Sequence, residues 1–145
     1  MLPPQYVPKS LTPQDQLKQL ENIKKSSKLY KQGKYLNRPK LSSFESKPSS
    51  HIQKAKELYN VNSIKPSKEL SKKTGCSLDT LNKIVEKGKG AYYSSGSRPN
   101  QTPFSWGIAR LASAITGGNS SKIDLHLLQQ GCLKRSLALQ LAKKN

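Results

Sequence analysis

The segment PFSWGIARLASAITGG, Pro103 to Gly118, is the most apolar helical stretch in the chain, and any core must be built around it. Thr102 stands where a helix cap belongs, and Pro103 sits in the first turn, where a missing N–H costs little. Phe104, Ile108, Leu111, Ala112 and Ile115 recur at helical spacing, while Gly107, Ala109 and Ala114 allow close approach. Trp106 lies on the same helix and is expected to pack with that core.

How much more chain this core can gather is limited by composition. Of 145 residues, 33% are hydrophobic, which supports one small domain and not two. Lys and Arg number 26 against 8 acids, a formal charge of +18. That imbalance calls for an anionic partner, either nucleic acid or an acidic protein surface.

Upstream of the core helix, ELSKKTGCSLDTLNKIVEKG reads as helix, glycine turn, helix. Leu70 is apolar, Ser71 is small where two helices would cross, Gly75 makes the left-handed turn, and Ser77 caps the second helix. Leu81, Ile84 and Val85 pack it back on the first, and Gly88 is expected to stop it. The spacing resembles a helix-turn-helix, with Ser77, Asp79, Thr80, Asn82 and Lys83 outward on the second helix. A tight helical corner with no DNA contact has the same pattern.

The loop GKGAYYSSGSRPNQ is not a phosphate cradle, since it lacks GxGxxG and GxxxxGK[ST] and no apolar strand precedes it. Its serines have no histidine and acid pair near in sequence. It suits a packed contact loop, with Tyr92, Tyr93 and Arg98 as candidate partner contacts. No catalytic residue, metal site or cofactor is expected, and His51 and His126 stand without matching ligands. Cys76 and Cys132 lie far apart without CxxC spacing and are expected as buried thiols rather than a disulfide. No apolar run reaches the roughly 18 residues of a membrane span.

After Gly118, Ser120 or Ser121 is expected to cap a helix KIDLHLLQQG, closed by Gly131. A last helix carries Leu133, Leu137 and Leu141 four apart, with Lys143 and Lys144 at its carboxyl end.

The amino-terminal part differs in kind. MLPPQYVPKS is proline-rich and extended, then Thr12, Pro13 and Asp15 start a helix whose apolar face is Leu17, Leu20, Ile23 and Tyr30. From Asn22 to Phe44 the bases Lys24, Lys25, Lys28, Lys31, Lys34, Arg38 and Lys40 occur without an acid. This is expected to be an extended basic segment for nucleic acid or a protein neighbour, followed by a short helix HIQKAKELY capped at Ser50. The expected fold is all-α: a compact multi-helix domain over 62–145 with the helix-turn-helix-like corner, and a basic extended arm over 1–61.

GKGAYYSSGSRPNQTPFSWGIARLASAITGG, with KTGCSLDTLNKIVEKG before it and YKQGKYLNRPKLSSFESKPSSHIQKAKELY upstream, resembles a family of small basic proteins. The family occurs in nucleocytoplasmic large DNA viruses, especially those of algae and amoebae. The resemblance implies a viral setting and brings no assigned reaction. The expected function is a minor capsid protein that ties together capsid subunits, assembled into the virion in the host cytoplasm. Its partners would be the major capsid protein and other minor capsid proteins, with viral DNA or the inner membrane surface as further anionic contacts. The alternative is a helix-turn-helix-type DNA-binding or genome-packaging virion protein.

Overall fold

The computed structural model describes residues 2–144, which form eight α-helices and one 3-10 turn, without a strand. The helices are α1 (Pro13–Lys31), α2 (Ser50–Tyr59), α3 (Lys68–Thr74), α4 (Leu78–Ser94), α5 (Pro103–Ile115), α6 (Asn119–Ile123), α7 (Leu125–Gly131) and α8 (Leu137–Lys144). The chain divides into two units, one of Met1–Lys47 with Lys89–Trp106, the other of Pro48–Gly88 with Gly107–Asn145. This division differs from a break at residue 61. The α2 helix belongs to the second unit because Ala55 and Tyr59 are buried in its core.

The second unit holds the main hydrophobic core. Leu70, Leu81, Ile84, Leu111, Ile115, Leu128 and Leu139 are all buried there. The apolar stripe of α5 points inward from Ile108 onward, whereas Phe104 and Trp106 lie in the first unit, exposed and half-buried. Tyr59 donates its hydroxyl to the Ile115 carbonyl, and burial pushes the phenol pKa upward. The last helix buries Ala138, Leu139 and Ala142, so its inner face is not the expected leucine row: Leu133 and Leu137 are exposed.

Two glycines explain why α4 does not stop at Gly88. A Cβ on Gly88 would lie 2.5 Å from the Gly107 Cα, and one on Gly107 would lie 2.6 Å from the Val85 carbonyl oxygen. The pair lets α4 and α5 cross with backbones nearly touching, a contact only side-chain-free positions allow. Helix α4 then runs on to Ser94.

Tertiary pairing also decides the cysteines. Gly75 takes φ 78° after α3, as expected, and residues 75–77 then run antiparallel to 131–133. Ser77 N–H donates to Gly131 O at 2.8 Å, and Leu133 N–H to Gly75 O at 2.8 Å. Cys76 and Cys132 are therefore opposed without hydrogen bonds to each other, the position in which cross-strand side chains come closest. They form a disulfide, correcting the expectation of free thiols. Their sequence separation of 56 concealed this neighbourhood. Reduction, or Cys132→Ser, is expected to cost about 4 kcal/mol by loop-closure entropy. Urea midpoints with and without dithiothreitol measure it, and coincident curves would refute the bond.

The expected single helix KIDLHLLQQG is broken at Asp124, which caps the α6–α7 junction and is fully buried. Arg110 grips that carboxylate with two bonds, Nε to Oδ2 at 2.9 Å and Nη2 to Oδ1 at 2.8 Å, and Lys87 Nζ lies at 3.9 Å. A paired geometry of this kind offsets the desolvation of a buried charge.

In the first unit α1 begins as expected, with the Thr12 side chain accepting from Asp15 N–H and Pro13 in the first turn. Its buried row is Asp15, Gln19, Ile23 and Ser26, while Leu17 is 58% exposed. The expected apolar face is corrected. The helix is turned so that its polar groups meet partners from elsewhere in the unit. Asp15 accepts from the Ser43 N–H and hydroxyl, which hold its carboxyl below the usual range. Gln19 Nε2 donates to Tyr6 O at 3.0 Å and Ser97 O at 3.2 Å, and Ser26 donates to Tyr93 O at 2.9 Å.

Candidate partner-binding surface

At the centre of the first unit is Arg38. Its Nη1 donates to Tyr92 O at 2.7 Å and Ser26 Oγ at 3.1 Å, and its Nη2 donates to Ser97 Oγ at 2.8 Å. The guanidinium carbon lies 3.8 Å from the Tyr92 ring centroid, and Arg38 N–H donates to the Tyr92 hydroxyl at 2.8 Å. Burial lowers the guanidinium pKa, while neighbouring Tyr92 opposes that shift. A ring face and hydroxyl and carbonyl oxygens stand in for the carboxylate a buried arginine usually takes. Arg38 and Tyr92 are therefore internal braces, correcting their expected role as partner contacts; Tyr92 is 1% exposed.

The segment after Arg38 is held the same way. Asn100, at φ 62°, pairs its carboxamide with the Leu41 backbone, accepting from N–H at 2.7 Å and donating to O at 3.2 Å. An asparagine tolerates this left-handed position, and a Pro-Asn dipeptide is a turn signal that could have marked it in the sequence. Tyr6 stacks edge-on against Trp106, with centroids 5.7 Å apart, and Gly96 at φ 101° leaves room for Ile23 and Tyr6. Residues expected to form an extended arm are thus packed on α1.

What this frame presents outward is charge. Lys24, Lys25, Lys28 and Lys31 on α1 and Lys34 and Lys40 beyond it are all exposed, and none is ion-paired among the described residues. Tyr93 is half-buried, stacked on Tyr30 at 5.9 Å and tilted against the exposed Tyr35 at 5.0 Å. Burial raises the Tyr93 pKa. Arg98 is exposed as well. Beside the lysines is an open cavity of about 930 Å³, with Leu2, Val7 and Ile23 among its apolar walls and Lys24, Lys28 and Lys31 along its side.

The corner residues are split in the second unit. Asn82 and Lys83 are exposed, and Lys83 pairs with Asp79 at 3.1 Å. Ser77 is exposed but donates its hydroxyl to Thr80 Oγ1 at 2.8 Å. Thr80 is buried against Gly131, correcting its expected outward position. The pairing of 75–77 with 131–133 runs beside the front of α4, the end a DNA reader would push into a groove, and there Ser77, Leu78 and Asp79 remain exposed.

A model of a family of unknown function, DUF5824, matches residues 5–125. The chain belongs to this family. Membership spans both the braced unit and most of the disulfide-linked one. No curated protein and no solved structure matches the DUF5824 chain. Among its described residues no three His, Cys, Asp or Glu side chains gather as a metal site, and no helix is long and apolar enough to cross a membrane.

Proposed function

We propose that this chain is a non-catalytic structural protein of a virion, a minor capsid protein that ties neighbouring capsid subunits together. The observation that carries the proposal is the exposed lysine face of α1, unpaired within the described residues and fixed from behind by the Arg38 network. Lysines held on a braced helix retain their Coulomb attraction without waiting for an arm to order, so an acidic subunit surface is a suitable partner. The resemblance to proteins of large DNA viruses supplies the setting. Fractionation of disrupted virions tests it: the chain should leave with the shell, and release with the genome overturns it.

The total charge of +18 favours a second reading, a DNA-binding virion protein. Under the capsid proposal, duplex binding is weak, indifferent to sequence and lost steeply as salt rises, because lysine–phosphate attraction alone supplies it. Nanomolar binding at physiological salt that disappears with Asn82→Ala or Lys83→Ala would establish the DNA reading instead.

A further inference from the structure

We infer that the cavity between α1 and the amino-terminal segment is a docking groove for an acidic amphipathic helix of a partner protein. The inference rests on the structural role proposed above and assigns that role a defined site. The groove has two chemistries side by side. Leu2, Val7 and Ile23 supply apolar wall, and Lys24, Lys28 and Lys31 line the same space from α1. Its volume of about 930 Å³ accommodates several side chains, not a single ring or methyl.

The spacing of the lysines chooses the occupant. Positions 24, 28 and 31 share one helix face and span about 10 Å along the axis at 1.5 Å per residue. An acidic amphipathic helix carries carboxylates at the same repeat, beside an apolar row that would enter the groove. A single lipid carries its charge at one headgroup, so matching this row would take several lipids gathered along it, an outcome the vesicle control reads. A nucleic-acid backbone would match the charges but would set sugar and phosphate against an apolar wall. Among the described residues none of these lysines forms an ion pair with a carboxylate.

The wall opposite α1 is held in place before any partner arrives. Gln19 fixes Tyr6 through its carbonyl, and Tyr6 is in turn stacked on Trp106. Docking therefore does not have to order the wall, which lowers its entropic cost.

The test uses the full chain and a fluorescent amphipathic peptide with glutamates at i, i+4 and i+7 beside a row of leucines. Controls are a scrambled peptide of equal charge, oligothymidylate, and vesicles of phosphatidylglycerol. The expected result is anisotropy binding by the amphipathic peptide that exceeds the scramble by about tenfold or more. It should fall by a similar factor in the double variant K24E/K28E and in Val7→Asp, while K72E/K73E on α3 leaves it unchanged. The lysine variants are surface changes, and circular dichroism verifies that all variants remain helical. Equal affinity for the scramble, preference for oligothymidylate or vesicles, or equal loss with the α3 variant would overturn the groove assignment. Any of these would leave shell release in virion fractionation standing, so the two proposals fail separately.

Discussion

Arg38→Ala is expected to destabilise the first unit by about 3–5 kcal/mol, since hydrogen bonds to a charged group contribute roughly 1.5–3 kcal/mol each and do not add fully. The guanidinium reaches Tyr92 O, Ser26 Oγ and Ser97 Oγ together and covers the Tyr92 ring. Removing it leaves three acceptors without their donor in a space alanine cannot fill. Arg38→Lys keeps the charge but has no planar fork to serve both nitrogen positions at once, so it should recover less than half of the loss. Urea unfolding followed by tyrosine fluorescence reads the magnitude. Amide exchange should localise the loss to residues 34–44 and 89–100. A cost below about 1 kcal/mol for the alanine variant would mean that Arg38 does not brace this unit.

Two glycines in one helix should respond in opposite directions. Gly88→Ala places a Cβ 2.5 Å from the Gly107 Cα, a backbone atom that cannot rotate aside, so α4 and α5 must separate. The expected cost is about 3 kcal/mol, the upper range for an overpacked core, and Gly107→Ala should cost a similar amount through Val85 O. At Gly90, two residues on, an added Cβ meets only the Tyr30 hydroxyl at 3.4 Å, an ordinary contact. Gly90→Ala should therefore stabilise by about 0.5–1 kcal/mol, the usual gain for alanine within a helix. Thermal melts of the three variants decide this, and equal behaviour at Gly88 and Gly90 would remove the close crossing.

The same crossing shows why part of the loop departs from its sequence pattern. A glycine late in a helical pattern signals a stop, and Gly88 fits that signal. It acts here as a contact point because Gly107 faces it across 19 positions of chain, and periodicity within α4 contains no trace of α5. The α1 helix departs from its pattern for a different reason. Hydrophobicity selects Leu17, Leu20, Ile23 and Tyr30 as its inner face, whereas the buried row is mostly polar. Polar burial is favourable only where partners stand ready, and those partners come from positions 6, 38, 43, 93 and 97.

The candidate surface was legible in the same uneven way. Lys24, Lys25, Lys28, Lys31, Lys34 and Lys40 were identified by their acid-free run and are exposed. Arg38 belongs to the same run and lies inside, because its planar fork reaches oxygens from two separate nitrogens while its face lies on the Tyr92 ring, which a single ammonium cannot reproduce. No local pattern distinguishes that arginine from its neighbours.

The sequence by itself determined the all-helical class, the start of α1, the Gly75 turn and the apolar stripe of α5, since caps, turns and periodicity act within a few residues. The tertiary structure decided the disulfide, the Gly88–Gly107 crossing, the break at Asp124 and the Arg38 network. Each of these joins groups distant in the chain, and its free energy arises only when both partners are already in place.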